Sequence, residues 1–395
     1  MKKDWTYKKL GEVGEVIGGT TPSTSNPAFW NGDLCWISPA ELQGEHYLYD
    51  SVKKITREAV KAKSLKQLPV GTVILSSRAP IGKLAINKVP MYCNQGFKCV
   101  VCGKELYNEY LYWWFYFKKD YLNSLGTGAT FPEISKSVVE NIPIPLPPLS
   151  EQQEIVSHLD AAFGEIEGLK AKAEAQLREA RTLFQAALTK EMKPKQGWEE
   201  KKLKEMSLLI TKGSSPKWQG NSYVDYGGIL FVTSENVREG CLEFKPAKYV
   251  DSSFNIKQRR SILKKDDVLV NIVGASIGRA AIFDLDVENA NINQAVCLIR
   301  LNKEVLSSKY LCLFLNSENA FKQYSSMVKD TARANLSLDN IGNLSIGIPP
   351  LSAQQSIVSR LDALSEKVRE LEETQKKVIA ECDALKQALL REVFE

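Results

Sequence analysis

The sequence contains one internal repeat that is long enough to set the architecture of the whole chain. Residues 142–160 read IPIPLPPLSEQQEIVSHLD, and residues 346–362 read IGIPPLSAQQSIVSRLD. Landmarks on the amino-terminal side of each copy also correspond, namely Trp5 with Trp198, Trp36 with Phe231, Gly82 with Gly278 and Gln95 with Gln294. A repeat of this length is a complete domain, because the unit of a solenoid has only about 20 to 50 residues. The sequence therefore predicts one fold that occurs twice.

The composition is typical of a globular protein rather than a membrane-spanning or disulfide-bonded one. The 395 residues are 44% hydrophobic and 25% charged, with a formal net charge of +5. The longest apolar and aromatic run, residues 110–117, is far shorter than the about 20 residues that a membrane-spanning helix needs. The eight cysteines are scattered, which suits a reducing compartment. We therefore expect a cytoplasmic protein, and the small positive charge does not by itself indicate a nucleic-acid partner.

Two long helices are the clearest secondary-structure prediction, over residues 150–196 and 352–395. Each follows a Pro-Pro pair, which stops the preceding strand. Each also begins with an S-x-x-Q motif, in which the serine and glutamine side chains satisfy open backbone N–H groups of the first turn. The predicted cap pairs are Ser150 with Gln153 and Ser352 with Gln355.

Both helices carry apolar residues at alternating steps of four and three, the repeat of a coiled-coil seam. The predicted seam of the first helix consists of Ile155, Leu159, Ile166, Leu169, Leu177 and Phe184, with alanines between them. The predicted seam of the second consists of Ile357, Leu361, Leu364, Val368, Leu371, Val378, Leu385 and Leu389. A helix of about 40 residues is about 60 Å long, so the second helix would start at the far end of the first and run back along it. The alternative is that each helix packs only on its own globular part.

Further apolar residues of the helices lie off the two seams and would otherwise face water. Such a surface predicts a docking site for other proteins. The alternative is that some of these residues face their own globular part. The residues of this set are Val156, Phe163, Leu183, Leu188, Ile379, Leu390, Val393 and Phe394.

Each globular part shows strand-like runs followed by a helix. We therefore predict an α+β protein, in which two pseudo-twofold-related mixed α/β domains are joined by two long helices that form an antiparallel coiled coil. The predicted strands lie at residues 72–76, 83–87 and 97–101, and at residues 267–271, 279–283 and 295–300. Helices are predicted over residues 108–122 and 308–324. The aromatic run 110–117 could stack on nucleic-acid bases, but on a helix it is more typical of a core.

The sequence lacks recognisable motifs for catalysis or cofactor binding. An amino-methyltransferase motif of the form [D/N]-P-P-[F/Y/W] is approached at residues 26–29, which lack the second proline. A phosphate-binding loop fails because Ser77 and Leu84 stand where glycine and a hydroxyl residue are required. The single Cys-x-x-Cys motif, residues 99–102, has no second pair, and two histidines cannot complete a familiar zinc site. We predict no catalytic residues and no metal site in this chain.

The same order of parts occurs twice: a globular part is followed by a helix that begins P-P-L-S-x-Q-Q-x-I-V. In this order the chain resembles the specificity subunit of type I restriction-modification systems. The resemblance covers essentially the whole chain. It implies target recognition domains at residues 1–149 and 197–351, with the long helices 150–196 and 352–395 as a spacer. It also implies that each domain reads one half of an asymmetric bipartite DNA site and that the chain itself is not catalytic.

The same resemblance implies partners that carry out the chemistry. These would be two methyltransferase (M) subunits docked on the helix pair and restriction/translocase (R) subunits, with double-stranded DNA as the ligand and no membrane. S-adenosylmethionine, ATP and Mg²⁺ are expected on those partner subunits, and no cofactor on this chain.

Polar loop residues near glycine or proline are the candidate DNA contacts. Arg pairs with guanine, and Asn or Gln with adenine, through two hydrogen bonds in the major groove, whereas Lys and Ser more often contact phosphate. In the first domain the candidates are Thr20, Thr21, Ser23, Thr24, Ser38, Glu41, Gln43, Arg78, Thr127 and Thr130. In the second they are Lys212, Ser214, Ser215, Lys217, Thr233, Ser234, Glu235, Asn236, Arg333 and Asn335. The basic run 257–265 is either a phosphate-binding patch or a solvated surface.

A structural adaptor is the alternative that the residues leave open. It would carry two ligand-binding modules on a coiled-coil strut and would not bind DNA. Composition does not separate the two functions, but a methylated DNA motif that depends on the gene would.

Overall fold

The computed structural model describes residues 5–78, 80–128, 132–225, 227–287, 289–327 and 335–395. The chain divides into two units. Unit 1 consists of Met1–Ala173 and Lys377–Glu395, and unit 2 consists of Glu174–Lys376. Each unit therefore contains one globular part and one end of each long helix.

The described part of unit 1 contains ten strands, arranged in three sheets. They are β1 (Thr6–Lys9), β2 (Gly14–Gly18), β3 (Trp30–Ile37), β4 (Tyr47–Leu48), β5 (Lys53–Ile55), β6 (Val73–Leu75), β7 (Leu84–Asn87), β8 (Met91–Cys93), β9 (Lys98–Cys102) and β10 (Pro143–Leu146). The largest sheet has the order β2-β9-β6-β7-β4, the second has the order β5-β3-β8, and β1 pairs with β10. Strands β3 and β8 are parallel, as are β4 and β7, and the other pairs are antiparallel.

Short helices cover the sheets of unit 1, and one long helix leaves them. They are α1 (Leu10–Val13), α2 (Arg57–Lys63), α3 (Asn108–Phe117), α4 (Lys119–Ser124), α5 (Lys136–Glu140) and α6 (Leu149–Met192). The helix predicted over residues 108–122 is thus two helices, which meet at Lys118.

The described part of unit 2 also contains ten strands, and their arrangement repeats that of unit 1 except that β13 joins the second sheet, whereas β4 joins the largest one. They are β11 (Glu199–Lys202), β12 (Ser207–Lys212), β13 (Tyr223–Val224), β14 (Ile229–Val232), β15 (Tyr249–Val250), β16 (Asp267–Asn271), β17 (Ala280–Phe283), β18 (Ala290–Ile292), β19 (Val296–Leu301) and β20 (Ser345–Ile348). The sheets have the orders β12-β19-β16-β17, β13-β15-β14-β18 and β11-β20. Strands β14 and β18 are parallel, like β3 and β8.

The helices of unit 2 follow the same order. They are α7 (Ser253–Lys257), α8 (Ser308–Leu315), α9 (Glu318–Met327), α10 (Leu338–Gly342) and α11 (Leu351–Phe394). The predicted fold class of two related mixed α/β domains with two long helices is therefore confirmed, and six of the predicted strands are found as β6, β7, β9, β16, β17 and β19.

The aromatic run of α3 lies in the core of unit 1, as predicted. Six consecutive residues, Tyr110 to Phe115, are buried. Trp113 stacks at a tilt on Phe163 of α6, with 4.5 Å between ring centroids, and its Nε1 donates to Asp160 Oδ1 over 2.9 Å. These contacts join α6 to the globular part of its unit, so residues 110–115 are not available for base stacking, whereas Tyr116 is 40% exposed.

The predicted helix caps are wrong, because α6 and α11 begin at Leu149 and Leu351, one residue earlier. The serines and second glutamines of both motifs, Ser150, Gln153, Ser352 and Gln355, lie exposed within the first turn. The first glutamine of each Gln-Gln pair, Gln152 or Gln354, is completely buried instead.

The buried carboxamides make the same three hydrogen bonds in both units. Gln152 Nε2 donates to Pro147 O and Glu105 O over 2.9 Å each, and Gln152 Oε1 accepts from Tyr107 N over 2.8 Å. Gln354 binds the corresponding main-chain groups of Pro349, Val305 and Ser307 over 3.0 Å each. Each glutamine thus joins the start of a long helix to the loop that precedes α3 or α8.

The two long helices run antiparallel where they meet within each unit. In unit 1, Glu167 of α6 pairs with Lys386 of α11, and Lys170 Nζ lies 2.7 Å from Asp383 Oδ1. In unit 2, Arg181 Nε lies 2.5 Å from Glu372 Oε1, and Glu191 Oε1 lies 3.1 Å from Arg360 Nη2. Residue numbers rise along one helix as they fall along the other in both units.

The predicted seam is partly wrong. Ile155, Leu159, Ile166, Ile357 and Leu361 are buried, and Leu177, Phe184, Leu364, Val368, Val378 and Leu389 are half-buried. Leu169, Leu371 and Leu385, however, are 54%, 37% and 49% exposed. Toward the end of α11 the buried positions are Cys382, Lys386, Leu390 and Phe394, at steps of four. Leu390 and Phe394 belong to the core of unit 1, so the end of α11 packs on the globular part and does not continue the 3.5-residue repeat of a seam.

Most of the apolar residues assigned to a docking surface also pack inside their own unit. Val156, Phe163, Leu390 and Phe394 belong to the core of unit 1, and Leu188 belongs to the core of unit 2. Leu183 remains 61% exposed.

Lys386 occupies a buried position in unit 1 although it is charged. Its side chain is 8% exposed and pairs with Glu167, while its Nζ lies 5.5 Å from the centroid of the Phe163 ring. Burial lowers the pKa of Lys386. Sequence periodicity misses such a residue, because a lysine can bury its aliphatic stem while its amino group reaches a partner.

None of the helices in the described part of the chain combines the length and apolar character that a membrane span requires.

Substituting Gln152→Ala should lower the free energy of unfolding of the full chain by about 2 kcal/mol or more. The substitution leaves one buried N–H and two C=O groups without their partner, and each unsatisfied group costs about 1–3 kcal/mol. The matched control is Gln153→Ala, whose side chain is exposed, with an effect within about 0.5 kcal/mol. Urea unfolding measures both values, and equal shifts would contradict the assignment.

Substituting Leu390→Ala should lower the stability far more than Leu385→Ala. Leu390 is completely buried and Leu385 is 49% exposed, and a buried Leu→Ala change costs about 2–5 kcal/mol. The coiled-coil seam read from the sequence predicts the opposite order. Thermal or urea unfolding of the two variants decides between the two registers.

Candidate nucleic-acid interface

Five strand ends meet along one edge of unit 1. Strands β2, β3, β6 and β8 end there and β9 begins there, as shown by the pairings Gly18 with Lys98, Ile37 with Cys93 and Ser76 with Phe97. We define edge 1 as residues 19–24, 38–43, 76–78, 94–98, 127–128 and 132–134. Main-chain hydrogen bonds join its loops, and Asn94 N, for example, donates to Ile37 O over 3.0 Å.

Unit 2 has a corresponding edge. We define edge 2 as residues 213–219, 233–243, 272–276, 293–295 and 335–336. Asn293 N donates to Val232 O over 3.0 Å, and Ile272 N donates to Ala295 O over 2.9 Å. The predicted DNA contacts among the described residues therefore lie at one edge of each unit. Lys212 is the exception, because it is the last residue of β12 and lies beside edge 2.

One glycine in each unit makes this convergence possible. A Cβ atom at Gly19 would lie 2.0 Å from Asn94 O, and one at Gly213 would lie 1.7 Å from Ile292 O. Only glycine permits the loop after β2 or β12 to pass so close to the end of the neighbouring strand.

Arg78 and Thr127 of edge 1 both contact Glu133, which the sequence did not single out. Arg78 Nε donates to Glu133 Oε2 over 2.9 Å, and Lys98 Nζ donates to Glu133 Oε1 over 3.1 Å. Thr127 and Glu133 exchange two main-chain hydrogen bonds of 3.1 and 3.0 Å. Burial alone would raise the pKa of Glu133, but the hydrogen bonds and charges of Lys98 and Arg78 outweigh it and hold the pKa below its ordinary value. Glu133 is therefore ionised at neutral pH and binds both cations.

The loop after β2 lies beside this group. Thr21 Oγ1 donates to Gln95 Oε1, and Lys98 Nζ reaches Gln95 O over 3.5 Å. Thr20 and Thr24 are exposed. Ser23 is also exposed, with its hydroxyl 2.8 Å from that of Ser25.

Ser38 and Glu41 build a turn rather than presenting free polar groups. Glu41 Oε1 accepts from Ser38 N over 3.2 Å and from Ser38 Oγ over 3.1 Å, and Glu41 Oε2 accepts from Val52 N over 2.8 Å. Both carboxylate oxygens are thus used inside the protein. Gln43 is exposed, and its Nε2 donates to Ala40 O over 2.8 Å.

Thr233 and Asn236 form the same turn in unit 2, and their assignment as DNA contacts is wrong. Each is only 4% exposed. Asn236 Oδ1 accepts from Thr233 N over 2.8 Å and from Thr233 Oγ1 over 3.0 Å, while Asn236 Nδ2 donates to Glu243 O over 2.9 Å. Ser234 is half-buried, and Glu235 is exposed with its carboxylate 2.6 Å from Lys248 Nζ.

Four of the predicted contacts, two lysines and two serines, lie at the end of β12 and in the loop that follows it. Lys212 and Lys217 are exposed, and Ser214 and Ser215 are half-buried. Ser214 Oγ accepts from Gln219 Nε2 over 3.0 Å. Lys217 therefore presents its charge to solvent from a loop that internal hydrogen bonds hold in shape, and Lys212 does so from the end of β12.

Trp218, which the sequence analysis did not select, is the most exposed tryptophan of the chain at 74%. Its loop is fixed to α7, because Lys257 Nζ donates to Gln219 O and Asn221 Nδ2 donates to Ser253 Oγ over 2.7 Å. A large aromatic side chain held in water beside lysines is typical of a binding surface. An exposed aromatic residue cannot be recognised from sequence alone, since most tryptophans are largely buried.

Asn335 is exposed and forms an isolated β-bridge with Val273 at edge 2. Thr130 and Arg333, the remaining predicted contacts, lie outside the described residues.

The described residues contain no group of three or more His, Cys, Asp and Glu side chains placed to hold a metal ion. In the Cys-x-x-Cys motif, burial raises the pKa of Cys99 well above its ordinary value and that of Cys102 to about 12. Both are therefore neutral thiols at physiological pH and poor metal ligands or nucleophiles.

Comparison with known proteins agrees with this arrangement. The family model described as "Type I restriction modification DNA specificity domain" matches twice, over residues 2–178 and 195–381. The type I restriction enzyme MjaIX specificity subunit of Methanocaldococcus jannaschii is 31% identical, over 93% of this chain and 88% of its own length. The EcoKI specificity subunit of Escherichia coli is 26% identical, over 100% of this chain and 89% of its own length.

Two solved structures share the fold. A chain from a study of complex assembly and conformational transition in the type I restriction-modification system superposes with a TM-score of 0.80, at 21% identity, over 100% of this chain and 98% of that one. The HsdS subunit from Thermoanaerobacter tengcongensis superposes with a TM-score of 0.58, at 21% identity, over 100% and 97% of the two chains. On the two family matches and the full-length relatives, this chain belongs to the family of type I restriction-modification DNA specificity subunits.

Proposed function

We propose that this protein selects the DNA site of a type I restriction-modification complex, with edge 1 and edge 2 each reading one half of an asymmetric bipartite sequence. The observation that carries this proposal is that the two units bring corresponding strand ends together at one edge and present different side chains there. Edge 1 exposes Arg78 and Thr20, whereas edge 2 exposes Lys217, Trp218 and Asn335. Two recognition surfaces of the same geometry and different chemistry would select two different half-sites.

The side chains at the two edges suit the surface of duplex DNA. Exposed lysines and arginines neutralise phosphates and position a protein on the duplex. Arginine, asparagine and glutamine can distinguish base pairs through their major-groove edges. Both kinds of residue are present at each edge or beside it, which agrees with a role in positioning and reading.

The long helices are proposed to set the spacing of the two half-sites and to bind the methyltransferase subunits. Each helix contributes one end to unit 1 and the other to unit 2. Three leucines on their outer surfaces, Leu169, Leu183 and Leu385, are 54%, 61% and 49% exposed. Phe321 of α9 is 60% exposed and lines an open groove of about 650 Å³ together with Arg181 and Gln185 of α6. Apolar surface of this kind favours protein docking.

Methylation and cleavage are proposed to reside on partner chains. Two methyltransferase subunits would use S-adenosylmethionine, and restriction/translocase subunits would use ATP and Mg²⁺. The family match assigns a DNA specificity domain to both halves of the chain, which supports a recognition role for this subunit within such a complex.

Deleting the gene from a cell that carries the whole system should abolish methylation of one interrupted two-part motif. Long-read sequencing of modified adenines in cells with and without the gene measures this outcome. Restoring the full-length gene is the control and should bring back the same motif. Persistence of every methylated motif in the deletion strain would instead support a protein adaptor that does not bind DNA.

Adding a duplex that contains the mapped motif should change the fluorescence of Trp218 in the assembled complex. Trp218 is 74% exposed, and the other six tryptophans of this chain are buried or half-buried, so the part of the change that depends on Trp218 reports on edge 2. The matched variant Trp218→Phe keeps an aromatic ring and removes this signal. A fluorescence change of equal size in the variant would show that edge 2 does not meet the DNA.

A further inference from the structure

Two positions of edge 1 correspond to two positions of edge 2 through the same hydrogen-bond framework. Ile134 N donates to Ser77 O and Leu336 N donates to Ile272 O, over 2.9 Å in both units. The residues beside these bonds form isolated bridges, Arg78 with Glu133 in unit 1 and Val273 with Asn335 in unit 2. Arg78 and Val273 therefore hold equivalent positions, and so do Glu133 and Asn335.

The frame around the two bridges is the same as well. Gly82 N donates to Ser76 O over 3.1 Å, and Gly278 N donates to Asn271 O over 2.9 Å. Both glycines have a φ of +87°, which glycine adopts without strain. The side chains of the bridges are thus presented by matching backbones, and we call these two places corner 1 (Arg78, Glu133) and corner 2 (Val273, Asn335).

In corner 1, the guanidinium of Arg78 uses one of its hydrogen-bond donors to bind Glu133. Its Nε donates to Glu133 Oε2, and the side chain of Arg78 is 47% exposed. No acceptor among the described residues takes a hydrogen bond from its two Nη groups. Two parallel N–H donors with fixed orientation match the O6 and N7 acceptors of guanine in the major groove.

Glu133 is itself held in place, so it can orient Arg78. Its second oxygen accepts from Lys98 Nζ, and that amino group also donates to Ser77 Oγ over 3.2 Å. Arginine loses less side-chain freedom on binding when a carboxylate already fixes its plane. Glu133 is therefore a positioning residue for Arg78.

Corner 2 carries no charge at the equivalent positions. Val273 is 40% exposed, Asn335 is exposed, and the residue that corresponds to Lys98 is the buried Cys297. An asparagine carboxamide pairs with N6 and N7 of adenine, and an apolar side chain contacts the methyl group of thymine. Both features suit an A·T pair and neither satisfies guanine.

We propose that the two corners read different base pairs: Arg78, oriented by Glu133, reads a guanine in one half-site, and Asn335 with Val273 reads an A·T pair in the other. This inference rests on the proposed function, because it requires the edges to meet DNA. The half-sites then differ at corresponding positions because the two corners differ in charge.

The test uses the full-length chain with its partner subunits in cells that lack other adenine methylation. The variants are Arg78→Lys, Glu133→Gln and Asn335→Ala. Arg57→Lys is the control, because Arg57 is exposed at the start of α2. This helix follows the end of β5 that lies away from edge 1. Sequencing of modified adenines gives the preference at every motif position. The half-site that a variant does not affect shows in the same experiment that the complex folds and assembles.

Arg78→Lys should relax one guanine position by about 10-fold or more, since a bidentate pair supplies most of the discrimination at its base. Glu133→Gln should relax the same position less and leave the other half-site unchanged, which a merely structural role would not do. Asn335→Ala should relax one A·T position in the other half-site. The control should leave the motif intact.

A wild-type motif without a G·C pair in either half-site would overturn the assignment of corner 1. An unchanged motif in the Arg78→Lys variant would do so too, while the proposed function would stand. A wild-type complex that directs no two-part motif would overturn the proposed function and this inference together.

Discussion

The buried carboxamides of Gln152 and Gln354 are the interactions on which the rest of each unit depends. Each one satisfies main-chain groups of two segments, the loop before α3 or α8 and the proline pair before the long helix. A buried amide that lost these partners would cost several times the gain of an ordinary hydrogen bond. The direction in which each helix leaves its own globular part is therefore fixed at its first turn, and the same geometry in both units follows from the same three bonds.

The internal repeat allowed the fold class to be predicted from the sequence. The shortest strands, the helix caps and part of the seam were not predicted correctly. Strands β6 and β16 contain runs of three apolar residues and were found, whereas β4 and β13 have two residues each and leave no pattern. The helix caps were misplaced because two glutamines stand side by side, and periodicity does not tell which of them is buried. Leu385 was placed in the seam for a similar reason, because the apolar pattern favoured a leucine over Lys386. The partners of Lys386 are Glu167 and Phe163, which only the tertiary structure reveals.

The candidate interface was predictable where a residue acts alone and unpredictable where it acts through a distant partner. Thr21, Arg78 and Thr127 were identified from their loops, and the structure places them at one edge. Glu133 was missed because it lies 55 residues from Arg78 and 35 from Lys98 in the sequence. Thr233 and Asn236 were selected for their polar side chains, yet those groups close a turn in the core of unit 2. Polarity in a loop therefore indicates either recognition or turn formation, and only burial separates the two.

The two edges show how one framework can carry different recognition chemistry. The bonds that define corner 1 and corner 2 run between main-chain atoms, so they do not depend on which side chains stand there. The glycines that permit close approach, Gly19 and Gly213, occupy the same place in both units. Exchange of Arg78 for a valine-like residue, or of Glu133 for an asparagine, leaves this frame intact because unit 2 already contains that combination. Side chains at the edges can thus vary with little effect on the core, and the selection of DNA sequence can change while the fold does not.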